Sequence, residues 1–258
     1  MGGGCCMRRI KYLGVIPARY ASTRLSGKPL VDICGIPMII HTFYRAKQSL
    51  LLDKIVVATD DEQIFELVQS HGGEAIMTSR DHQNGTERMY EVSKKIQADY
   101  YVLINGDEAL LNPIHIDQAI SHISQNPQIE TLILYNKFYK RNSPSDFKIV
   151  LSESGRVLYI SRSDIPSEYR GGVDFLYKAY HIMTFSQSSL NRYVKLKQTR
   201  CDRAESHELL RLIENDHDIY GLEVESSAIS VDTSEDLEFV QKVMRDDELY
   251  KKYMYLKS

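Results

Sequence analysis

The apolar positions of the chain fall into two kinds of run, separated by turn residues. Tyr12 to Ile16, Lys54 to Thr59, Ala75 to Thr78 and Tyr100 to Ile104 are compact apolar runs of strand length. Stretches with helical spacing lie between them. Met38, Ile39, Ile40, Phe43 and Tyr44 mark one that starts at Pro37 and runs to Leu50; Glu62 to Ser70 forms the next, ahead of a Gly72-Gly73 turn. A third follows the polar loop Ser79 to Thr86 and runs to about Gln97, and Asn112-Pro113 opens a fourth that reaches about Gln125. Strand and helix in repeated alternation predict a parallel sheet with helices on its faces.

Beyond Pro127 the rhythm changes. Glu130 to Tyr135, Lys148 to Leu151, Val157 to Ile160 and Tyr177 to Thr184 read as strands, most of them without a crossover helix between. That predicts an antiparallel lobe at about 130–190, where a second substrate and a dimer contact would sit. Lys137 to Asp146 is polar and turn-rich. Helices are expected over Ser186 to Leu196 and Ala204 to Glu214, then a strand over Ile219 to Val224. In A-I-S-V-D-T-S-E-D-L, Asp232 falls at a strand end, and Thr233 or Ser234 caps a closing helix that Asp236 decorates. The expected fold class is α/β: one domain over 9–258 with a mostly parallel central sheet and the antiparallel lobe, behind a disordered leader at 1–8.

Composition narrows the classes of partner. A chain of 258 residues with 43% hydrophobic content can bury a substantial core. A net charge of -3 creates no global field for a nucleic-acid polymer, so phosphate must be held by local basic clusters. No run reaches the roughly 18 apolar residues that a membrane span needs. The four cysteines, Cys5, Cys6, Cys34 and Cys201, form no C-x-x-C pair, which argues against a disulfide framework or structural metal and for a reducing cytoplasm. Gly2, Cys5, Cys6, Arg8 and Arg9 in the leader faintly suggest acylation, but Cys6 stands where the myristoylation pattern wants Ser or Thr.

The candidate chemistry begins where the first strand breaks at Pro17. The loop that follows carries Arg19, Arg24 and Lys28, with Gly27 just before the lysine. A basic loop at the carboxyl edge of an α/β sheet suits an anionic ligand: arginine offers a planar fork to phosphate oxygens, lysine a mobile point charge. Neither the Walker pattern nor G-x-G-x-x-G is present. A second strand ends in Asn105-Gly106-Asp107-Glu108, where a glycine allows close backbone approach and an acid follows it. If Arg19, Lys28, Asp107 and Asp232 meet at one edge, the two carboxylates can hold Mg2+ and the two cations a polyphosphate. That arrangement suits phosphoryl or nucleotidyl transfer. His41, His71, His115 and His122 read as surface or packing residues.

The stretches I-P-A-R-Y-A-S-T-R-L-S-G-K-P-L, V-A-T-D-D-E, M-T-S-R-D-H-Q-N-G-T-E-R, N-G-D-E and V-D-T-S-E-D-L resemble, in order and spacing, those of the CMP-Kdo synthetases, the 3-deoxy-manno-octulosonate cytidylyltransferases. The resemblance covers about Tyr12 to Met244. It implies a Rossmann-like nucleotidyltransferase that transfers CMP from CTP to an acidic sugar and releases pyrophosphate, with the antiparallel lobe used for homodimerisation. It further implies that Arg19 and Lys28 hold the triphosphate and that Asp107 and Asp232 bind Mg2+. Pro17, Ala18, Arg24, Asn84, Gly85, Thr86, Asn105 and Gly106 would line the nucleotide, and Arg80, Arg88, Arg162, His181 and Glu208 the acceptor, with Arg162 facing its carboxylate.

Departures from the family pattern collect on the acceptor side. Asn105 replaces a glutamine and Ala109 a proline. The family's Y-K-H-I-G-I-Y-A-Y becomes Y-K-A-Y-H-I-M-T-F, which puts Ala179 and Met183 where the resemblance implies a sugar-contacting histidine and tyrosine, and Leu209 stands for a glutamine beside Glu208. Strand alternation returns His181 to the face of residue 179. The expectation is that nucleotidyl transfer persists while the acceptor is either Kdo or another acid, such as a different ulosonic acid or a phospho or phosphono compound. A catalytically silent nucleotide-binding relative would have lost a metal carboxylate, and both are present.

Overall fold

The computed structural model describes residues 9–20, 27–227 and 229–256. The expected leader at 1–8 and Arg24 lie outside the described residues. The chain runs β1 (Tyr12–Ala18), β2 (Asp32–Ile33), β3 (Ile36–Pro37), α1 (Met38–Ala46), β4 (Lys54–Thr59), α2 (Glu62–Ser70), β5 (Ala75–Met77), α3 (Gly85–Lys95), β6 (Tyr100–Ile104) and α4 (Pro113–Gln125). It continues through β7 (Thr131–Phe138), β8 (Lys148–Leu151), β9 (Val157–Ser161), β10 (Leu176–Ser186), α5 (Gln187–Tyr193), α6 (Arg200–Glu205), α7 (Leu209–Ile213), β11 (Tyr220–Glu223), α8 (Ser234–Asp246) and α9 (Glu248–Lys251).

One sheet runs β11-β7-β10-β6-β1-β4-β5, with the β8-β9 hairpin attached to β10. β6, β1, β4 and β5 are parallel. β10 pairs antiparallel with both β6 and β7. The antiparallel segment is therefore continuous with the parallel core through β10. β1 explains the uniform apolar runs of the first half: Tyr12, Ile16 and Ala18 feed the hydrophobic cluster on one face, Leu13 and Val15 the cluster on the other. A strand covered on both faces has no polar side to show.

Two expected elements differ. The helix expected at Ala204 to Glu214 is broken into α6 and α7, because Ser206 adopts a left-handed conformation with φ 57°. Among the described residues ahead of α8, Ile229 to Thr233 form no strand. Instead the N–H of Val231 donates to the carbonyl of Asp107 at 3.1 Å. α8 then starts with a capping box, in which Thr233 Oγ1 accepts from the N–H of Asp236 and the Asp236 carboxylate accepts from the N–H of Thr233.

α8 and α9 are closed onto α1 by a buried polar chain. Arg45, 1% exposed, donates to the Leu111 carbonyl at 3.1 Å and to the Tyr253 hydroxyl at 3.2 Å, and pairs with Asp247. The Tyr253 hydroxyl lies 2.9 Å from Nδ1 of His41, whose Nε2 lies 2.8 Å from the Ile33 carbonyl. A carbonyl only accepts, so Nε2 bears the proton and Nδ1 accepts from the tyrosine. A second proton on this ring would sit in a dry site beside the Arg45 cation.

Burial therefore holds His41 down to about 4, opposed in part by its hydrogen bond to Ile33. A folded-state pKa below the unfolded value of about 6.5 means stabilisation that is complete above that pH and lost as the pH falls toward 4. We expect this residue to account for a fall of roughly 3 kcal/mol in unfolding free energy across that window, measured by urea titration. A His41→Asn variant should flatten that part of the profile; an unchanged slope would show that the ring does not titrate as described.

Candidate active site

The site lies where the carboxyl ends of β1 and β6 open together. Lys28 enters a short 3-10 turn, Lys28–Leu30, behind Gly27 in the left-handed region at φ 64°. Its ammonium donates to Asp107 Oδ2 at 2.6 Å and to Asp232 Oδ1 at 2.8 Å. Three residues from distant parts of the chain thus form one cluster. Lys28 is 9% exposed, and the two carboxylates are largely sheltered. One ammonium against two carboxylates leaves a net negative charge. Asp107 Oδ1 is buried without a hydrogen-bond partner.

Beside Asp107, Glu108 is 1% exposed and its Oε2 has no hydrogen-bond partner. Burial, then the neighbouring Asp107 charge, push its carboxyl well above the usual range. Glu108 was not singled out in the sequence, where an acid beside an acid carries no sign of which one is buried. The close approach expected of Gly106 is present: a Cβ built there would lie 2.8 Å from the Pro17 carbonyl oxygen.

Next to the cluster is a pocket of about 150 Å³ that gathers Pro17, Ala18, Arg19, Asn84, Gly85, Arg88, Asn105 and Glu208 from the sequence-derived set. His82 and Leu103 complete its lining. His82 was missed because its neighbours in the S-R-D-H run are exposed loop residues; in the fold its Nε2 lies 2.7 Å from Glu91. Asn84 caps α3 through its side-chain oxygen and donates its amide to Tyr193 Oη at 2.9 Å. Arg19 follows β1, is exposed, and has no side-chain partner among the described residues.

Several expected ligand residues are placed otherwise. Thr86 is fully buried and its hydroxyl donates to Glu208 Oε1 at 3.1 Å, so it supports the pocket from behind. Arg88 lines the pocket but is held by Asp60 at 2.9 Å and by the Thr78 hydroxyl. Arg80 is exposed outside that lining, directed at the Asp60 carbonyl. Arg162 stacks 4.1 Å from the Phe147 ring centroid and donates to the carbonyls of Glu205 and Pro144. Those bonds tie it to backbone away from the pocket. Ala179, Met183 and Leu209 are 0%, 1% and 0% exposed and belong to one hydrophobic cluster, so in this conformation they are core residues that meet no ligand. His181 projects toward the same side, at a bulge between Tyr180 and Met183.

A converging basic and acidic cluster beside a small polar pocket, at the carboxyl edge of a Rossmann-like sheet, defines a nucleotidyltransferase-type fold and site. A family model described as Cytidylyltransferase matches residues 13–219. The 3-deoxy-manno-octulosonate cytidylyltransferase of Fusobacterium nucleatum is 38% identical over 244 residues, covering 93% of this chain and 99% of that one. The protein of the same name from Geobacter sulfurreducens is 36% identical over 90% of this chain and 98% of its own. Among solved structures, a CMP:2-keto-3-deoxy-manno-octonic acid synthetase complexed with CTP superposes with a TM-score of 0.87 at 36% identity, over 92% of this chain and 99% of that one. This chain belongs to the cytidylyltransferase family.

The Gly106 contact yields a direct test. Gly106→Ala should force the Asp107 turn away from β1 and lower turnover by roughly ten- to a hundredfold, the scale of an ångström-sized misplacement of reacting groups. Gly171→Ala, where a Cβ meets nothing within 4 Å, serves as the control. Equal activity of the two variants would show that the close approach has no role in placing Asp107.

Proposed function

We propose that the protein is a CMP-Kdo synthetase: it transfers CMP from CTP to the anomeric hydroxyl of 3-deoxy-manno-octulosonate and releases pyrophosphate. The observation that carries the reading is the Lys28 ammonium bridging Asp107 and Asp232 beside the pocket, in a chain whose relatives bear that name over nearly their whole length. In the reaction a bond forms between the sugar oxygen and the α-phosphorus. The bond from that phosphorus to the pyrophosphate oxygen breaks, and the hydroxyl proton leaves to solvent.

The residues divide the work by chemistry. Arg19 and Lys28 neutralise the triphosphate, Arg19 as an exposed fork and Lys28 as a point charge already within reach of both acids. Asn105, with Pro17 and Ala18 beside it, would offer amide and backbone groups to the base, while Asn84, engaged by the α3 N-terminus and Tyr193, fixes the pocket wall. Asp107 and Asp232 would hold Mg2+, which takes few protein carboxylates and keeps waters and phosphate oxygens as its other ligands. The fit is supported by the net negative charge of the cluster and the unpartnered Asp107 Oδ1; among the described residues no group of three or more His, Cys, Asp or Glu forms a metal cage. Such an ion polarises the phosphate oxygens and neutralises the departing pyrophosphate.

The protein would work as a homodimer through the antiparallel segment. A groove of about 640 Å³ there is lined by Tyr135, Ile149, Leu151, Phe175 and Tyr177 together with Glu153 and Asp174, a mixed surface whose apolar part supports contact with a second copy. The free thiols Cys34 and Cys201 support a reducing cytoplasm. No described helix is long and apolar enough to cross a membrane.

Pyrophosphate release from CTP should require Kdo and a divalent cation, with ATP, GTP and UTP as poor donors. Asp107→Asn, which keeps the side-chain shape, should lower the rate by at least on the order of a hundredfold. Full activity of that variant, or equal rates without added cation, would remove the metal assignment. Light scattering should give twice the chain mass, and Phe175→Asp should return the monomer; a wild-type monomer would refute the dimer.

A further inference from the structure

The two cations assigned to the triphosphate stand in different circumstances. Arg19 is exposed and has no side-chain partner among the described residues. Lys28 is buried, and its ammonium is committed on two sides, 2.6 Å from Asp107 Oδ2 and 2.8 Å from Asp232 Oδ1. Those are the same two carboxylates assigned above to the divalent cation. The ammonium therefore stands on oxygens that the cation would use.

Two cations cannot share that place. Mg2+ binds carboxylate oxygens at about 2.0–2.1 Å, closer than a hydrogen-bonded ammonium, and like charges at such range repel strongly in a sheltered site. Asp107 Oδ1 gives no way around this, because it belongs to the same carboxylate and is itself buried. Nor is Lys28 free to step aside unassisted. Leaving the acids would strand a buried ammonium, which is costly unless another anion receives it.

The balance of charge sets when the exchange can happen. Lys28, Asp107 and Asp232 together carry one negative charge, which a divalent ion added alone would turn positive. A triphosphate arriving with the ion supplies anionic oxygens for both cations. Lys28 is suited to that transfer, since lysine carries a compact charge on a flexible four-carbon stem. The pocket lined by Arg19 and Asn105 lies beside it, two residues from Asp107.

We propose that Lys28 is a place-holding cation: it occupies the acid pair until a triphosphate draws it away, so the divalent cation enters with the nucleotide and not before it. The inference rests on the metal and triphosphate roles proposed above and adds the order in which the site is filled. Because coupling between two ligands is reciprocal, the cation in turn strengthens the hold on the nucleotide.

The test is binding of Mn2+, a spectroscopic substitute for Mg2+, followed by electron paramagnetic resonance with no acceptor present. Nucleotide-free wild type should hold Mn2+ weakly. Lys28→Met, which keeps the stem and removes the charge, should hold it at least about tenfold tighter. That gain should disappear in Lys28→Met/Asp107→Asn. Arg19→Met, which removes a cation outside the cluster, should bind Mn2+ within about twofold of the wild type. CTP should bring Mn2+ onto the wild-type protein, read against the same Mn2+ and CTP without protein. Equal nucleotide-free affinity in the wild type and Lys28→Met, or an equal gain in Arg19→Met, would overturn the place-holding role alone. Should Lys28→Met fail to fold, the wild type decides by itself: Mn2+ bound as tightly without CTP as with it would overturn the proposal. A wild type that binds no Mn2+ even with CTP would overturn the underlying metal assignment, and the proposal with it.

Discussion

Everything in the site depends on one ammonium group placed between two carboxylates. Lys28, Asp107 and Asp232 lie 79 and 204 residues apart along the chain, yet they meet within hydrogen-bond distance. Bringing two acids together away from bulk water is costly unless a cation compensates them. Lys28 supplies that compensation in the ligand-free state. In the proposed reaction the same residues would receive the divalent cation and the polyphosphate. The cluster is both the structural joint between the amino-terminal loop and the last helix and the site of the proposed chemistry.

The scaffold makes this joint precise by backbone contacts rather than by side chains alone. Gly106 lets the turn carrying Asp107 press against the Pro17 carbonyl, so the ends of β1 and β6 cannot drift apart. Val231 donates to the Asp107 carbonyl, which registers the Asp232 segment against that turn. The capping box of Thr233 and Asp236 fixes where α8 begins, two residues after Asp232. At its far end α8 is docked through Arg45, Asp247, Tyr253 and His41. The geometry of the cluster is therefore held from both ends of one helix, and carboxy-terminal packing positions Asp232 against Lys28 and Asp107 from the amino-terminal half.

The strand β10 and the turn before α7 follow a different logic. Departures from the family pattern at Ala179, Met183 and Leu209 bury apolar groups in the core. Polar groups stand instead at His181 and His207, one partly open and one carrying an unmatched donor. A core that tolerates an orphaned N–H forgoes stability there.

By itself the sequence determined the α/β class, most of the longer elements and the residues of the charged cluster, but not the short β2, β3 and α9. Those features are local: apolar runs of strand or helix length, a proline or capping residue at a boundary, and short motifs whose chemistry is explicit in the residue types. The one long helix expected at Ala204 to Glu214 failed because a left-handed Ser206 is set by packing, not by spacing. Only the tertiary structure decided which charged groups are free and which are spent. Arg162 and Arg88 look alike in the chain, yet Arg162 is bound to backbone carbonyls, and Arg88, at the pocket wall, to the half-buried Asp60. Only the fold stacked His181, on β10, against His207, in the turn before α7 and 26 positions away, because contact between a strand and a distant turn depends on how the elements pack, which no linear spacing encodes.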